Sequence, residues 1–164
     1  MNEKQKIEVA TAKGFLDLYN AKLGTSYKFC KLSDSPDAIC RDADGQRLGL
    51  EITLTEDCPR DIQAALGRSD HRGIANFDLS RPASNLQGNV LESLLQRVRE
   101  KLQNNYGART ALVVRSTSGV DWDWDTQLPD IRQALAGHQN YFDLGIWLMN
   151  RQMNRLFHVL DPHE

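Results

Sequence analysis

An Asp-Gly pair between two stretches of strand character is the feature that most restricts how this chain can fold. Residues 36–42 and 47–54 are predicted to form the strands of a β-hairpin that turns at Asp44 and Gly45. The turn is either a two-residue loop or a three-residue loop from Ala43 to Gly45, with Gly45 in the left-handed conformation of a bulge. We favour the three-residue loop, because it gives the second strand one consistently apolar face.

The three-residue loop sets two acidic side chains opposite each other. If Asp42 faces Gln46, counting outward along both strands brings Asp37 across from Glu51, with Cβ atoms about 5 Å apart. Carboxylates this close disfavour each other unless a cation lies between them. The two-residue loop would instead place Asp37 and Glu51 on opposite faces of the sheet.

A divalent metal ion would relieve this repulsion, because hard cations prefer carboxylate and carbonyl oxygens. Asp37 and Glu51 are therefore candidate ligands for Mg²⁺ or Mn²⁺, and the backbone carbonyl of Ile52 could add a third oxygen. The alternative is that Asp37 merely follows the proline of a turn and that Glu51 is a solvated strand residue.

A third acid is placed by helical periodicity. Residues 3–23 are predicted to form an amphipathic helix, with Asn2 as N-cap and Gly24 just past its end. Glu8 falls inside the apolar arc, where an unpaired carboxylate is unfavourable, so it is expected to face a metal, a metal-bound water or a cation. The alternative is a solvated glutamate near the positive end of the helix dipole. The apolar arc consists of Ile7, Ala12, Phe15, Leu18 and Tyr19.

A lysine is placed in the same way on a second amphipathic helix, predicted over residues 90–102. At about 100° per residue, Lys101 falls within the apolar arc of this helix and points towards the sheet. Such a lysine either extends its amine past an apolar surface to solvent, or brings it to the pair of carboxylates.

The remaining pattern completes an α/β domain. The order of helices and strands predicts a mixed central sheet flanked by helices, and a length of 164 residues suits a single domain, 1–164. The further predicted elements are a short helix at 59–66, a long connection at 67–86, a buried strand at 110–117, a short helix at 129–136 opened by Pro129 and closed by Gly137, and strands at 141–149 and 155–160.

Composition and charge bear on membrane insertion, nucleic-acid binding and cysteine chemistry. No apolar run approaches the roughly 18 residues that a membrane span requires. A net charge of −2 argues against broad, non-specific binding of nucleic acid, but it leaves room for a local basic groove. The three cysteines lack metal-binding spacing, which favours free thiols and a cytoplasmic location.

Pro36-Asp37, a hairpin, and then Glu51-Ile52-Thr53 resemble the signature of the PD-(D/E)XK nuclease superfamily. The order also agrees over residues 3–117: a helix with an acid, two strands carrying the motif acids, a helix and a strand. The resemblance implies a restriction-endonuclease-like fold and metal-dependent hydrolysis of nucleic acid, with DNA a more expected substrate than RNA. It also implies that Asp37 and Glu51 hold the metal, while Glu8 is an extra ligand or acts through water.

Thr53 departs from this signature, because it occupies the position of the motif lysine. In these nucleases the lysine orients the attacking water and offsets charge on the phosphate, whereas a threonine can only hydrogen-bond the water. Lys101 is our candidate for the missing amine. If it does not reach the acids, the chain is better interpreted as a catalytically inactive binding or regulatory module. With a two-residue hairpin loop, it would be an α/β protein without nuclease ancestry.

The 67–86 connection contains basic residues that a nuclease would use to hold the nucleic-acid backbone. They are Arg68, His71, Arg72 and Arg81. The simpler interpretation, which we favour, is a solvated loop. A homodimer would suit cleavage of both strands of a duplex, but no heptad pattern indicates one.

Overall fold

The computed structural model describes residues 1–55, 83–117 and 123–161, and it describes side chains in the second range from residue 91 onward. The helix predicted at 59–66 lies outside the described residues, and so does most of the 67–86 connection. The four basic residues proposed to hold a nucleic-acid backbone, Arg68, His71, Arg72 and Arg81, lie outside them as well.

Three helices and six strands make up the described parts of the chain. The helices are α1 (Glu3–Leu23), α2 (Ala83–Leu102) and α3 (Trp124–Leu135). The strands are β1 (Lys28–Leu32), β2 (Ala38–Arg41), β3 (Arg47–Leu54), β4 (Thr110–Arg115), β5 (Ile146–Met149) and β6 (Leu156–Leu160).

The six strands form one mixed sheet in the order β1-β2-β3-β4-β5-β6. The central strands β3, β4 and β5 run parallel to one another, while β1, β2 and β6 pair antiparallel with their neighbours. This confirms the predicted α/β class with a mixed sheet flanked by helices. Among the described residues, no helix is long and apolar enough to cross a membrane.

The hairpin between β2 and β3 has the register of the three-residue loop. Ala38 pairs with Leu50, and Arg41 pairs with Arg47. Two backbone hydrogen bonds close the turn. Gly45 N–H donates to the Asp42 oxygen at 3.0 Å, and Asp42 N–H donates to the Gln46 oxygen at 3.1 Å. Gly45 has a φ of +80°, the left-handed conformation that the bulge requires and that glycine adopts without strain. The favoured register is therefore confirmed.

The sheet has a separate apolar core on each face. On one face α1 packs against side chains of β2, β3 and β4, and on the other α2 and α3 pack against β4, β5 and β6. Because neighbouring side chains of a strand point to opposite faces, Leu50 and Ile52 lie under α1, while Glu51 between them points towards α2.

The ends of α1 agree with their prediction. The Asn2 side chain accepts a hydrogen bond from Gln5 N, and the Gln5 side chain accepts one from Asn2 N, which together form a capping box. Gly24, in the left-handed conformation, ends the helix. Of the predicted apolar arc, Ala12, Phe15 and Tyr19 are buried.

Several predicted boundaries were wrong. The helix predicted to open at Pro129 begins at Trp124 instead, because Asp123 caps it through Thr126 N and the buried Trp124 anchors its first turn. The second long helix starts at Ala83, ahead of the predicted residue 90. β5 covers only the last four residues of the predicted 141–149 strand. β1 was not predicted, since its five residues show no clear alternation.

Candidate active site

Lys101 and Glu51 form the centre of the candidate site. Nζ of Lys101 on α2 lies 2.6 Å from Oε1 of Glu51 on β3, and the side chains are 28 % and 5 % exposed. Of the two interpretations left open for Lys101, the one in which its amine reaches the carboxylates is therefore confirmed for Glu51. The contact ties the helix to the strand that carries the motif acid.

Asp37 is held at the start of the hairpin by the strand beside it. Its Oδ2 accepts a hydrogen bond of 2.8 Å from the backbone N–H of Ile52, next to Glu51. The preceding Pro36 is buried against Gly49: a Cβ at position 49 would lie 2.8 Å from Pro36 Cγ. Gly49 thus leaves the space that lets this segment approach β3, and the Asp37 carboxylate has a fixed orientation.

Glu8 is half-buried on the first turns of α1, and its side chain is 14 % exposed. Burial raises the pKa of Glu8, and the negative charge of Asp37 raises it further. Lys4, one turn earlier, lies 3.6 Å from Glu8 Oε1, and together with Lys101 it partly offsets this rise in pKa. Asp37 therefore acts electrostatically on both Glu8 and Glu51, and we call these three residues the acid cluster.

Glu51 is the most deeply buried member of the acid cluster. Burial raises its pKa, the hydrogen bond from Lys101 lowers it, and the charge of Asp37 raises it again; the net direction is upward. For Lys101, burial would lower the pKa, but the hydrogen bond and charge of Glu51 outweigh burial and the pKa is raised. The second oxygen of Glu51, Oε2, is buried and has no hydrogen-bond partner.

This unpartnered oxygen fits a bound cation, because a buried carboxylate oxygen is unfavourable without a positive charge or donor. In residues 1–55, 83–117 and 123–161, however, no group of three or more His, Cys, Asp or Glu side chains is arranged to hold a metal ion. Glu8, Asp37 and Glu51 consequently do not form a ready set of three direct ligands. Metal binding through Asp37, Glu51, Ile52 and Glu8 stays a prediction.

Thr53, at the position where the resemblance to PD-(D/E)XK nucleases leads us to expect a lysine, is 7 % exposed. It lies two residues beyond Glu51 on the same strand and therefore faces the same side of the sheet. Its hydroxyl brings no positive charge to the site. The ammonium group that contacts Glu51 comes from α2, a different element of the fold.

Lys4, the second amine near the acid cluster, was not predicted as a site residue. Its spacing of four residues from Glu8 was the available signal, because side chains four apart meet on a helix surface. The Lys4 side chain is 81 % exposed, so the pair is solvent-screened and leaves Glu8 only weakly neutralised.

Comparisons with models of protein families, with characterised proteins and with solved structures found no match for this chain. The resemblance to PD-(D/E)XK nucleases consequently stands on the residues of the chain itself. The geometry relevant to it is the contact between Glu51 and Lys101, together with the fixed carboxylate of Asp37.

Proposed function

We propose that this chain is a metal-dependent nuclease of the PD-(D/E)XK type, which hydrolyses phosphodiester bonds of DNA in preference to RNA. One observation carries the proposal: Glu51 is buried with one oxygen bound to Lys101 and the other without a partner. The acid on β3 and the amine that contacts it are two of the chemical groups that this type of catalysis uses.

The arrangement of elements supports the same proposal. α1 carries Glu8, β2 follows Asp37, β3 carries Glu51, and α2 and β4 complete the order that the superfamily would require. A sheet with parallel central strands and an antiparallel hairpin at one side is compatible with a restriction-endonuclease-like fold.

Mg²⁺ or Mn²⁺ held by Asp37 and Glu51 would supply Lewis acidity and lower the pKa of a bound water. The Ile52 N–H keeps the Asp37 carboxylate oriented, so that little reorganisation is needed on binding. Glu8, whose pKa is raised, is suited to accept a proton from a water molecule. The Lys101 ammonium would stabilise negative charge on the phosphate, the role that Thr53 cannot fill.

A second candidate function is a catalytically inactive binding or regulatory module with the same fold. Lys101 and Glu51 already satisfy each other at 2.6 Å, as a structural ion pair would. The lack of three grouped metal ligands among the described residues points in the same direction. On this alternative the module would bind nucleic acid or a partner without cleaving it.

Cleavage assays separate the two candidates. The full chain is incubated with plasmid DNA, single-stranded DNA and RNA in the presence of Mg²⁺, Mn²⁺ or a chelator. Cleavage that needs the metal supports the nuclease, and cleavage of DNA faster than RNA supports the stated preference. Nucleic-acid binding without cleavage under every metal condition supports the inactive module.

Matched variants connect the activity to the site. Glu51→Ala and Lys101→Ala are each expected to lower the cleavage rate at least about 100-fold, the scale on which electrostatic catalytic groups act. The controls are Glu100→Ala, which removes a half-exposed acid next to Lys101, and Lys28→Ala, which removes an exposed lysine of β1. Full activity in both site variants would exclude the proposed site.

A further inference from the structure

The ammonium group of Lys101 contacts two described residues of different chemistry. Its Nζ donates to Glu51 Oε1 at 2.6 Å, and it lies over the ring of Tyr106, 5.9 Å from the ring centroid. A cation within about 6 Å of an aromatic centroid is attracted by the negative face of the ring. At these distances the carboxylate is the dominant partner of Lys101, and the ring is its second partner.

The turn that follows α2 brings Tyr106 back to Lys101. Asn104 N–H donates to the backbone oxygen of Lys101 at 3.2 Å, which ends the helix. Gly107 N–H donates to Asn105 Oδ1 at 3.0 Å, and Gly107 has a φ of +100°, which glycine adopts without strain. The chain therefore reverses within a few residues of Lys101.

The ring of Tyr106 is held by a residue from another segment. It stacks on Phe142 with the centroids 5.6 Å apart and an angle of 22° between the ring planes, and Phe142 is 1 % exposed. Tyr106 also packs against the core on the α2 face, and its hydroxyl accepts a hydrogen bond of 3.3 Å from Asn104 Nδ2. A ring fixed in this way needs little ordering before it binds a cation.

Metal binding at Glu51 would compete with Lys101 for the same carboxylate. Oε1 of Glu51 is bound to the ammonium, and Oε2 is buried without a hydrogen-bond partner. A cation on this carboxylate would neutralise the charge that attracts Lys101, and it would also repel the ammonium. The Lys101 side chain is only 28 % exposed, so its amine would then depend on another partner nearby.

We propose that Tyr106 is a positioning residue for Lys101, whose ring keeps the ammonium beside the acid cluster when Glu51 binds a cation. The same Nζ contacts both partners, so the amine passes from one to the other by rotation within one side chain. A neutral ring leaves the ammonium free to contact a phosphate oxygen. This last role rests on the proposed function, whereas the contact with Tyr106 does not.

Asp37 is the competing partner for the released amine. One of its oxygens already accepts a hydrogen bond of 2.8 Å from Ile52 N–H. A metal held by both Asp37 and Glu51 would neutralise the two carboxylates together. The ring of Tyr106 would keep its attraction for the ammonium under that condition, which is why we favour it over Asp37.

The test observes the ε-methylene protons of Lys101 by NMR of the full chain with labelled lysine. Their signal is the one that the Lys101→Met spectrum lacks, and a ring below them moves it to higher field. We expect this ring-induced shift in wild type and in Glu51→Ala, and its loss in Tyr106→Leu. Tyr106→Phe keeps the ring and should keep the shift. Tyr141→Leu, which removes a tyrosine that is 36 % exposed, should leave it unchanged.

Titration of wild type with Mg²⁺ separates this inference from the metal site. A response to Mg²⁺ in which the ring-induced shift persists supports both. A spectrum that ignores Mg²⁺, with the shift retained in Glu51→Ala, supports the role of Tyr106 and counts against the metal site. Loss of the shift in Glu51→Ala, or on addition of Mg²⁺, would mean that the amine leaves the ring and would overturn the inference. Glu51→Gln replaces Glu51→Ala if that variant does not fold.

Cleavage rates give a second readout. Tyr106→Leu is expected to lower kcat by roughly twofold to fivefold, the equivalent of a partly exposed cation–π contact, and Tyr106→Phe should restore it. If Tyr106→Leu does not fold, fluorinated tyrosine at position 106 keeps the shape, weakens the negative face of the ring and should lower kcat as fluorines are added. Equal kcat values with leucine, phenylalanine and tyrosine at this position would overturn the positioning role.

Discussion

The ammonium group of Lys101 lies 2.6 Å from Oε1 of Glu51, although the two residues are 50 positions apart in the chain. The contact joins α2 to β3 across the face of the sheet on which Thr53 also lies. The positive charge beside Glu51 therefore comes from a helix. Thr53, the strand residue at the position where the resemblance would place a lysine, is neutral. We expect the stability of the fold, and the proposed chemistry of the site, to depend on this pair.

Removing one partner of this pair should destabilise the fold. Lys101→Ala leaves the buried Glu51 carboxylate without its cation and is expected to reduce the free energy of unfolding by about 2–3 kcal/mol, below the full value for a completely buried pair because Lys101 is 28 % exposed. Urea denaturation followed by circular dichroism measures the change.

The double variant Lys101→Met with Glu51→Gln is the informative comparison. It removes both charges and keeps most of the volume, so it should be less destabilised than Lys101→Ala alone. Lys28→Ala, at an exposed position of β1, serves as the control for loss of a lysine. A double variant that loses as much stability as the sum of two single charge deletions would show that the charges do not interact.

A pH dependence follows from the raised pKa of Glu8. A carboxyl group with a higher pKa in the folded state binds more protons there than in the unfolded chain, so stability falls as pH rises from the ordinary value of 4.5 through the folded pKa. Glu8→Gln removes this loss. The variant should therefore gain stability relative to wild type between pH 4.5 and neutral pH, measured by urea denaturation across that range.

Asp17, an exposed acid on the same helix, provides the control, because Asp17→Asn makes the same change from acid to amide outside the acid cluster and should not reproduce the gain of Glu8→Gln. A parallel pH profile for Glu8→Gln and wild type would mean that Glu8 titrates as a solvated residue. In that case the alternative interpretation of Glu8, as a solvated glutamate near the start of α1, would be correct.

The arrangement of the acid cluster could be predicted because each member is fixed by a local rule. Helical phase placed Glu8 and Lys101, and the loop length between β2 and β3 placed Asp37 relative to Glu51. These periodicities persist in the fold because each element buries one apolar face. The rotamer that carries the Lys101 amine to Glu51 depends on packing between α2 and β3, which no single element determines.

Other features could not be predicted from one segment at a time. β1 pairs with β2, a strand of the hairpin. Its strand conformation therefore depends on that pairing rather than on an alternation of apolar and polar residues in β1 itself. The start of α3 depends on the cap formed by Asp123 and on the burial of Trp124. Pro129, which favours the first turn of a helix, lies inside α3 instead of at its start. Arg115 lies in the predicted buried strand, and its hydrogen bonds to Thr11 and to the backbone of Arg151 join segments far apart in the sequence.

Metal binding should stabilise the native state if the proposed function is correct. Mg²⁺ or Mn²⁺ at about 100 times the dissociation constant would add about 2.7 kcal/mol to the free energy of unfolding. Asp37→Asn is expected to remove most of this gain, since it removes the charge and keeps the shape of a proposed ligand. Thermal unfolding with and without the metal measures the gain, and calorimetry measures the binding directly.

The matched control is Asp34→Asn, which neutralises an exposed acid three residues earlier in the chain. It should retain the metal response. A metal response of equal size in Asp37→Asn and Asp34→Asn would place the metal elsewhere and remove the support for Asp37 as a ligand.

Gly49 lies against Pro36, the residue before Asp37. A substitution at Gly49 therefore tests the position of Asp37 without removing any acid. Gly49→Ala would put a Cβ 2.8 Å from Pro36 Cγ and 3.0 Å from Thr110 Oγ1, so the segment that carries Asp37 must move. We expect a loss of about 1–3 kcal/mol in stability, the usual range for overpacking.

The metal response in Gly49→Ala should weaken with the displacement of Asp37, because ligand geometry is disturbed while the charges are unchanged. Gly45→Ala is the matched control: it strains a left-handed turn residue, at a φ of +80°, but no heavy atom lies within 4 Å of the added carbon. It should lower stability and keep the metal response. If both variants keep that response in full, the close approach of Pro36 to Gly49 does not position the proposed ligand.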